Sequence, residues 1–180
     1  MPDSVALDGK TYGWTPATGA GIYLSHTWGS IVPGIWGRGI LVNQTAYAYT
    51  YVYSATERDA HALIEFQNYG RSENDPAPAR GQWDRKGSDI WLNGQRINPP
   101  AWLNDGGGGG NSEAELRDEN FSSTERRPVP VHLQAGWNKV FLKLPYVPSG
   151  CRLNKWLFTF VLTDATGSSA LEDVIYSPSK

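Results

Sequence analysis

Eight tryptophans and nine tyrosines stand out among the 180 residues of this sequence. Flat indole and phenol rings stack on the faces of sugars, and polar side chains beside them grip hydroxyls. Trp28, Trp36, Trp83 and Trp102 fall in or beside segments that read as loops. Asn68, Arg71, Asp84 and Arg38 lie near them in the chain. Together they make a candidate carbohydrate-binding set, with Trp28, Trp36, Trp83 and Trp102 stacking and Asn68, Arg71 and Asp84 as polar contacts. Taken singly, each tryptophan reads first as a residue that locks a loop onto a sheet or docks another domain.

Signatures of catalysis are mostly missing. The sequence has no G-x-S-x-G elbow, no H-E-x-x-H and no lysine placed to make the glycine run a phosphate cradle. Gly106 to Gly110 therefore reads as a loop. His26, His61 and His132 are scattered without ligand spacing. Glycoside hydrolysis uses two carboxyl groups across a sugar. The adjacent pairs Asp118-Glu119 and Glu172-Asp173 sit in polar segments, and neighbours on a strand point opposite ways, so both pairs read as solvated surface. No cofactor is expected. Asn104, Asp105 and Asn111 offer oxygens of the kind calcium takes, but without regular spacing, and no metal site is assigned.

The composition excludes further classes. Net charge is −2, with 16 basic and 18 acidic residues and no basic run, so a nucleic-acid footprint is not supported. Cys151 is the single cysteine, which rules out an intramolecular disulfide and a CxxC metal site; it reads as a small buried hydrophobe. No apolar run approaches the roughly 20 residues of a membrane helix. The opening MPDSVALDGK lacks the basic start and apolar stretch of a signal peptide. It reads as the start of an excised piece, with residues 1–20 an N-terminal linker or domain edge and residues 21–180 a single domain.

The elements that must position the rings are strands. Twenty glycines and twelve prolines beside the aromatics favour an all-β domain. GIYLSHTWG (Gly21 to Gly29) alternates as a first strand. AYAYTYVYS (Ala46 to Ser54) follows, and HALIEFQNYG (His61 to Gly70) comes next after the short link SATERDA. That short link predicts an antiparallel pair. Residues 71–86 read as a long polar loop. Asn93-Gly94 in SDIWLNGQRI predicts a type I′ turn. SEAE (Ser112 to Glu115) has capping-box spacing, good for one or two helical turns. VPVHLQAGWNKVFLKLP reads as strand, turn at Ala135-Gly136, strand. KWLFTFVLTD (Lys155 to Asp164) reads as a central strand and ALEDVIYS closes the chain. About eight strands without a long helix predict a two-sheet β-sandwich or jelly roll.

The second of these strands poses a question. Tyr47, Tyr49, Tyr51 and Tyr53 share one face, while Ala46, Ala48, Thr50 and Val52 share the other. At about 25 cal/mol per Å² of apolar area, four exposed phenols forfeit several kcal/mol. Large exposed apolar patches are unusual unless they bind something. The expectation is that the tyrosines face inward and that one end of their row reaches a polar rim; the alternative is that the small face packs closely under another layer and the tyrosines meet ligand.

GIYLSHTWG, TAYAYTYVYS, FQNYGRSENDPAPARGQWDRKGSDIWLNG, PPAW, GWNKVFLKLP and LEDVIYSPSK together resemble one family. It is the C-terminal, non-catalytic β-sandwich of secreted bacterial β-N-acetylhexosaminidases, the chitobiase-like enzymes of glycoside hydrolase family 20. The resemblance runs from about Tyr12 to Lys180. It implies a galactose-binding-domain-like fold and a parent glycoside hydrolase whose catalytic barrel carries an Asp-Glu pair. It further implies a periplasmic or extracellular location. No catalytic residue is carried over to this chain, because nothing here matches that barrel. The partners implied are the parent's catalytic domain and a glycan of N-acetylglucosamine or galactose type, with no nucleic acid and no membrane span. A purely structural interdomain module is the alternative; an esterase or lyase on a β-sandwich is a distant third.

Overall fold

The structure is a computed structural model. It describes residues 3–26, 34–36, 43–67, 79–100, 128–146 and 155–180. Trp28, Arg38, Asn68, Arg71, Trp102, the Gly106–Gly110 run, the SEAE capping box, the calcium-type residues near 105, Asp118-Glu119 and Cys151 lie outside them.

The described chain is all-β. It opens with β1 (Ser4–Leu7) and β2 (Lys10–Gly13), which pair antiparallel. The turn between them places Asp8 and Gly9 at φ of 49° and 73°, the geometry of a type I′ hairpin. Part of the expected linker is therefore a hairpin. Its signal, Asp8-Gly9 between alternating residues, is present in the sequence.

Two larger sheets follow. One is built from β3 (Gly21–His26), β5 (Arg58–Gln67), β8 (Val129–Leu133) and β10 (Lys155–Thr163), in the order β3-β10-β5-β8. The other contains β4 (Gln44–Ser54), β6 (Asp89–Leu92), β7 (Gln95–Arg96), β9 (Gly136–Tyr146) and β11 (Ile175–Ser177), in the order β11-β4-β9-β6-β7. All pairings are antiparallel. The facing sides of both sheets contribute to one buried cluster, so the architecture is a β-sandwich.

The expected pairing of the tyrosine strand with the strand after it does not occur. β4 pairs with β9 and β11, whereas β5 pairs with β10 and β8. The link between them crosses from one sheet to the other, and Ser54 anchors the crossing by donating its buried hydroxyl to Thr56 O at 2.8 Å. The link from β8 to β9 crosses likewise. A short link permits a hairpin or a corner between sheets, and the inward faces decide between them. Ala62, Ile64 and Phe66 of β5 fill one wall of the core, and Val140, Leu142 and Leu144 of β9 fill the other.

The core explains the orientation of β4. Trp156, Phe158, Phe160 and Leu162 occupy the interior from the central strand β10. Interiors are packed at crystal-like density, so the wall opposite such bulk is made of small residues. Ala46, Ala48 and Val52 supply it from β4. The expectation that the tyrosines face inward is overturned: their row lies on the outer face of the five-stranded sheet.

The sandwich edges are blunted. Residues 34–36 run along β3, with Ile35 N donating to Tyr23 O and Trp36 N to Leu24 O, both at 2.9 Å. A Cβ at Gly34 would stand 2.6 Å from Leu24 O, so only glycine permits this approach. β8, on the opposite edge, carries Pro130, a residue suited to edges because it offers no donor. No helix among the described residues is long and apolar enough to cross a membrane.

Candidate functional site

Strand register assembles an aromatic surface from three segments that are distant in sequence. Tyr49 of β4 is opposite Phe141 of β9, and Phe141 is opposite Trp91 of β6. Since residues opposite one another share a face, Tyr47, Tyr49, Tyr51, Tyr53, Trp137, Phe141 and Trp91 all lie outward. Tyr47 stacks on Phe141, with ring planes 17° apart and centroids at 5.7 Å. Phe141 meets Trp91 at 6.0 Å and 43°. The three rings form a strip across β4, β9 and β6.

The strip is open at its β4 end, where Tyr47 is 51% exposed. Leaving that much ring in water forgoes about 2 kcal/mol of burial, which is the kind of sacrifice a binding surface makes. The middle of the tyrosine row is covered. Trp14, which follows the N-terminal hairpin, meets Tyr49 edge-on at 4.6 Å. The Lys180 ammonium lies 5.5 Å over the Tyr51 ring, and Tyr51 is only 6% exposed. The row opens again at its other end, where Tyr53 (36% exposed) packs edge-on against Trp137 at 5.3 Å, beside Ile175 on β11.

Charged groups border the strip. Lys139 and Lys143 flank Phe141 on the same face of β9, and Lys139 Nζ stands 5.5 Å over the Phe141 ring. Asp89 lies opposite Lys143. Both Asp89 carboxylate oxygens accept from Arg96 Nε, at 2.8 and 2.7 Å. Arg96 also donates to Asn98 Oδ1 and Gly81 O, so its fork is held in place. Flat rings with fixed polar groups at their margin are suited to sugar recognition.

Three of the residues proposed from sequence can be placed. Trp83 is buried, 4% exposed, with its Nε1 donating to Ile97 O at 3.0 Å and its ring edge-on to Phe66. No sugar face can reach it in this fold. Asp84 is buried beside it and accepts from the backbone N–H groups of Lys86 and Ser88 through Oδ1. It shapes the turn before β6. Both residues therefore serve the fold and correct the sugar-contact assignment.

Trp36 is 41% exposed and packs on Trp156 at 5.3 Å, which in turn stacks on Tyr146 at 4.8 Å. Burial pushes the Tyr146 phenol above its ordinary pKa. This trio is rooted in the core through Trp156 and does not belong to the strip.

The strip itself was missed in the sequence, although a signal for it exists. GWNKVFLKLP alternates an aliphatic face, Val140, Leu142 and Leu144, with Trp137, Lys139, Phe141 and Lys143. An inner aliphatic face leaves the aromatic face outside, and pairing with the tyrosine strand completes the surface.

Among the described residues two other sets of ionisable groups are paired. Asp173 takes both terminal nitrogens of Arg58, at 2.5 and 2.9 Å, and the guanidinium holds its carboxyl below the usual range. His132 bridges Asp59 and Glu57 at 2.8 and 3.0 Å, and these hydrogen bonds raise its pKa. Among the described residues no group of three or more His, Cys, Asp or Glu is gathered to hold a metal. A cleft of about 610 Å³ lies between the β6–β7 hairpin and β8, bordered by Arg96, Asn98, Pro100, Pro130, His132 and Gln134.

Comparison with family models, with curated proteins and with solved structures returned no match for this chain.

Proposed function

We propose that the chain is a non-catalytic accessory domain of an exported β-N-acetylhexosaminidase-like glycoside hydrolase, with a galactose-binding-like jelly-roll sandwich. It touches glycan through the strip of Tyr47, Phe141 and Trp91. The observation that carries this is Tyr47, stacked on Phe141 yet half exposed. A ring fixed by a neighbour loses little freedom on binding, and its free face is available to a pyranose. The chemistry of hydrolysis belongs to the parent's barrel, and this domain acts by holding substrate or by holding the barrel.

The far end of the tyrosine row favours a second role on the same face. Ile175 is 60% exposed beside Tyr53 and Trp137. An aliphatic and aromatic patch of this kind suits packing against the catalytic barrel, as in a purely structural interdomain module.

The test is a titration of the chain with chitooligosaccharides and galactosides, followed by tryptophan fluorescence. Binding that Tyr47→Ala abolishes and Ile175→Ser spares supports the strip. Silence up to millimolar sugar overturns it and leaves the docking role. Turnover of a nitrophenyl glycoside by this chain alone overturns the non-catalytic assignment. A barrel with an Asp-Glu pair on the same polypeptide identifies the parent.

A further inference from the structure

The aromatic strip is positively charged in a chain whose net charge is −2. Lys139 and Lys143 stand on either side of Phe141, two residues away in each direction on the outward face of β9. Among the described residues, the acidic group that shares this face by strand register is Asp89, opposite Lys143. Both oxygens of Asp89 are engaged by Arg96 Nε, so it answers one cation with its own ion pair. Among the described residues neither lysine forms an ion pair. The face therefore presents two unmatched ammonium groups within reach of Tyr47, Phe141 and Trp91.

From this juxtaposition of two unmatched lysines with a strip of three rings, we infer that the glycan held here is acidic, its pyranose rings bearing carboxylate or sulfate groups. The inference rests on the strip being a glycan site and adds the class of glycan. A neutral chain needs hydrogen-bond donors and acceptors in balance at the margin of a stacking platform. Lysine supplies donors and charge alone. Each ammonium sits on a flexible stem and pairs with an anion as a point charge, without demanding one geometry. Two such groups beside a stacking strip suit a chain whose acidic substituents repeat along its length. Charge complementarity of this kind speeds encounter and discriminates against uncharged competitors.

The experiment compares a chondroitin sulfate hexasaccharide with chitohexaose on the full chain, by calorimetry and tryptophan fluorescence. At low salt the sulfated chain should bind at least about tenfold tighter, and the advantage should collapse at several hundred millimolar salt, where the Debye length falls to a few Å. The double substitution Lys139→Gln with Lys143→Gln should remove the advantage, lowering affinity for the sulfated chain by a much larger factor than affinity for chitohexaose. Tyr47→Ala with Trp91→Ala should weaken both sugars. Circular dichroism of each variant reports whether it has folded.

Equal affinity for the two chains overturns the acidic assignment while the strip stands. Absence of binding by either chain overturns the glycan site beneath it. Sulfated-chain binding that survives Tyr47→Ala with Trp91→Ala shows diffuse attraction without a site, and overturns the inference. Poly-glutamate binding as tightly as the sulfated chain, and losing affinity through the same substitutions, would replace the glycan with an acidic protein partner.

Discussion

Asn93 and Asn138 clasp each other across the five-stranded sheet. Asn93 Nδ2 donates to Asn138 Oδ1 at 2.7 Å, and Asn93 Oδ1 accepts from Lys139 N at 2.8 Å. Asn138 is fully buried. Its amide also donates to the carbonyls of Gln134 and Gly136 and accepts from Gln134 N. The pair joins the tight β6–β7 turn to the corner where the chain passes from β8 into β9. That turn places Asn93 at φ 51° and Gly94 at φ 84°, so Asn93 serves both as a turn former and as a clasp. The result fixes β6 against β9, and with it Trp91 beside Phe141.

Removing the clasp should be costly. Asn138→Ala leaves Asn93 Nδ2 and several half-buried backbone groups without their partner. An unsatisfied buried group costs about 1–3 kcal/mol, and partial access to water reduces that penalty for each of these groups. Asn138→Ala should lose about 1–3 kcal/mol of stability in urea denaturation. Asn93→Gly keeps the turn conformation but loses the side-chain bonds, and should cost less.

Trp83 and Tyr47 should separate folding from binding. Trp83→Ala opens a cavity beside Phe66 and leaves Ile97 O without its donor. It should destabilise by about 3–5 kcal/mol. Tyr47→Ala removes a half-exposed ring and should cost under about 1.5 kcal/mol, largely its stacking on Phe141. Thermal melts of the two variants check the contrast. A tryptophan whose loss mainly lowers the melting temperature is a core residue, whatever its position in a sequence-level loop.

The fold class was legible in the sequence because alternation and turn chemistry are local. KWLFTFVLTD reads as a central strand and lies between β3 and β5; Asn93-Gly94 reads as a type I′ turn and is one. What alternation leaves open is which sheet each strand joins. SATERDA is short enough for a hairpin and equally suited to a corner, and only the facing volumes decide. The same gap hid the site. Whether tyrosine or alanine turns inward depends on the bulk supplied by Trp156, Phe158 and Phe160, a hundred residues along the chain. Trp83 misled for a related reason: its segment is a loop by composition, yet its indole finds Ile97 O and the core. Area alone favoured burying the phenols, and volume overruled it.

His132 makes stability depend on pH with a definite sign. Both ring nitrogens face carboxylate oxygens, Nδ1 toward Asp59 and Nε2 toward Glu57. Both nitrogens donate only in the imidazolium form. The folded state therefore raises the pKa of His132 above its ordinary 6.5. A raised pKa means the contribution is fully present below the unfolded value and is lost as pH rises through the folded one. The melting temperature of the native chain should exceed that of His132→Gln at about pH 5.5, and the two should converge by about pH 9. An advantage that grew with pH would contradict the bridge. The site is well exposed, so added salt should shrink the difference.

Exchanging bulk between the two faces of β4 provides the sharpest check on the whole arrangement. Ala46 is buried in the core cluster, while its neighbour Tyr47 is half exposed on the outer face of the five-stranded sheet. Ala46→Leu forces extra methylenes into an interior already filled by β10, and overpacking costs about 1–3 kcal/mol. Tyr47→Leu changes a surface that has room, and should stay within about 1 kcal/mol. If the tyrosines faced inward the order would reverse: Ala46→Leu would be tolerated on a surface, and Tyr47→Leu would leave a cavity. Urea midpoints of the two variants decide between these orders, and the glycan titration of Tyr47→Leu then reports on binding with the fold held constant.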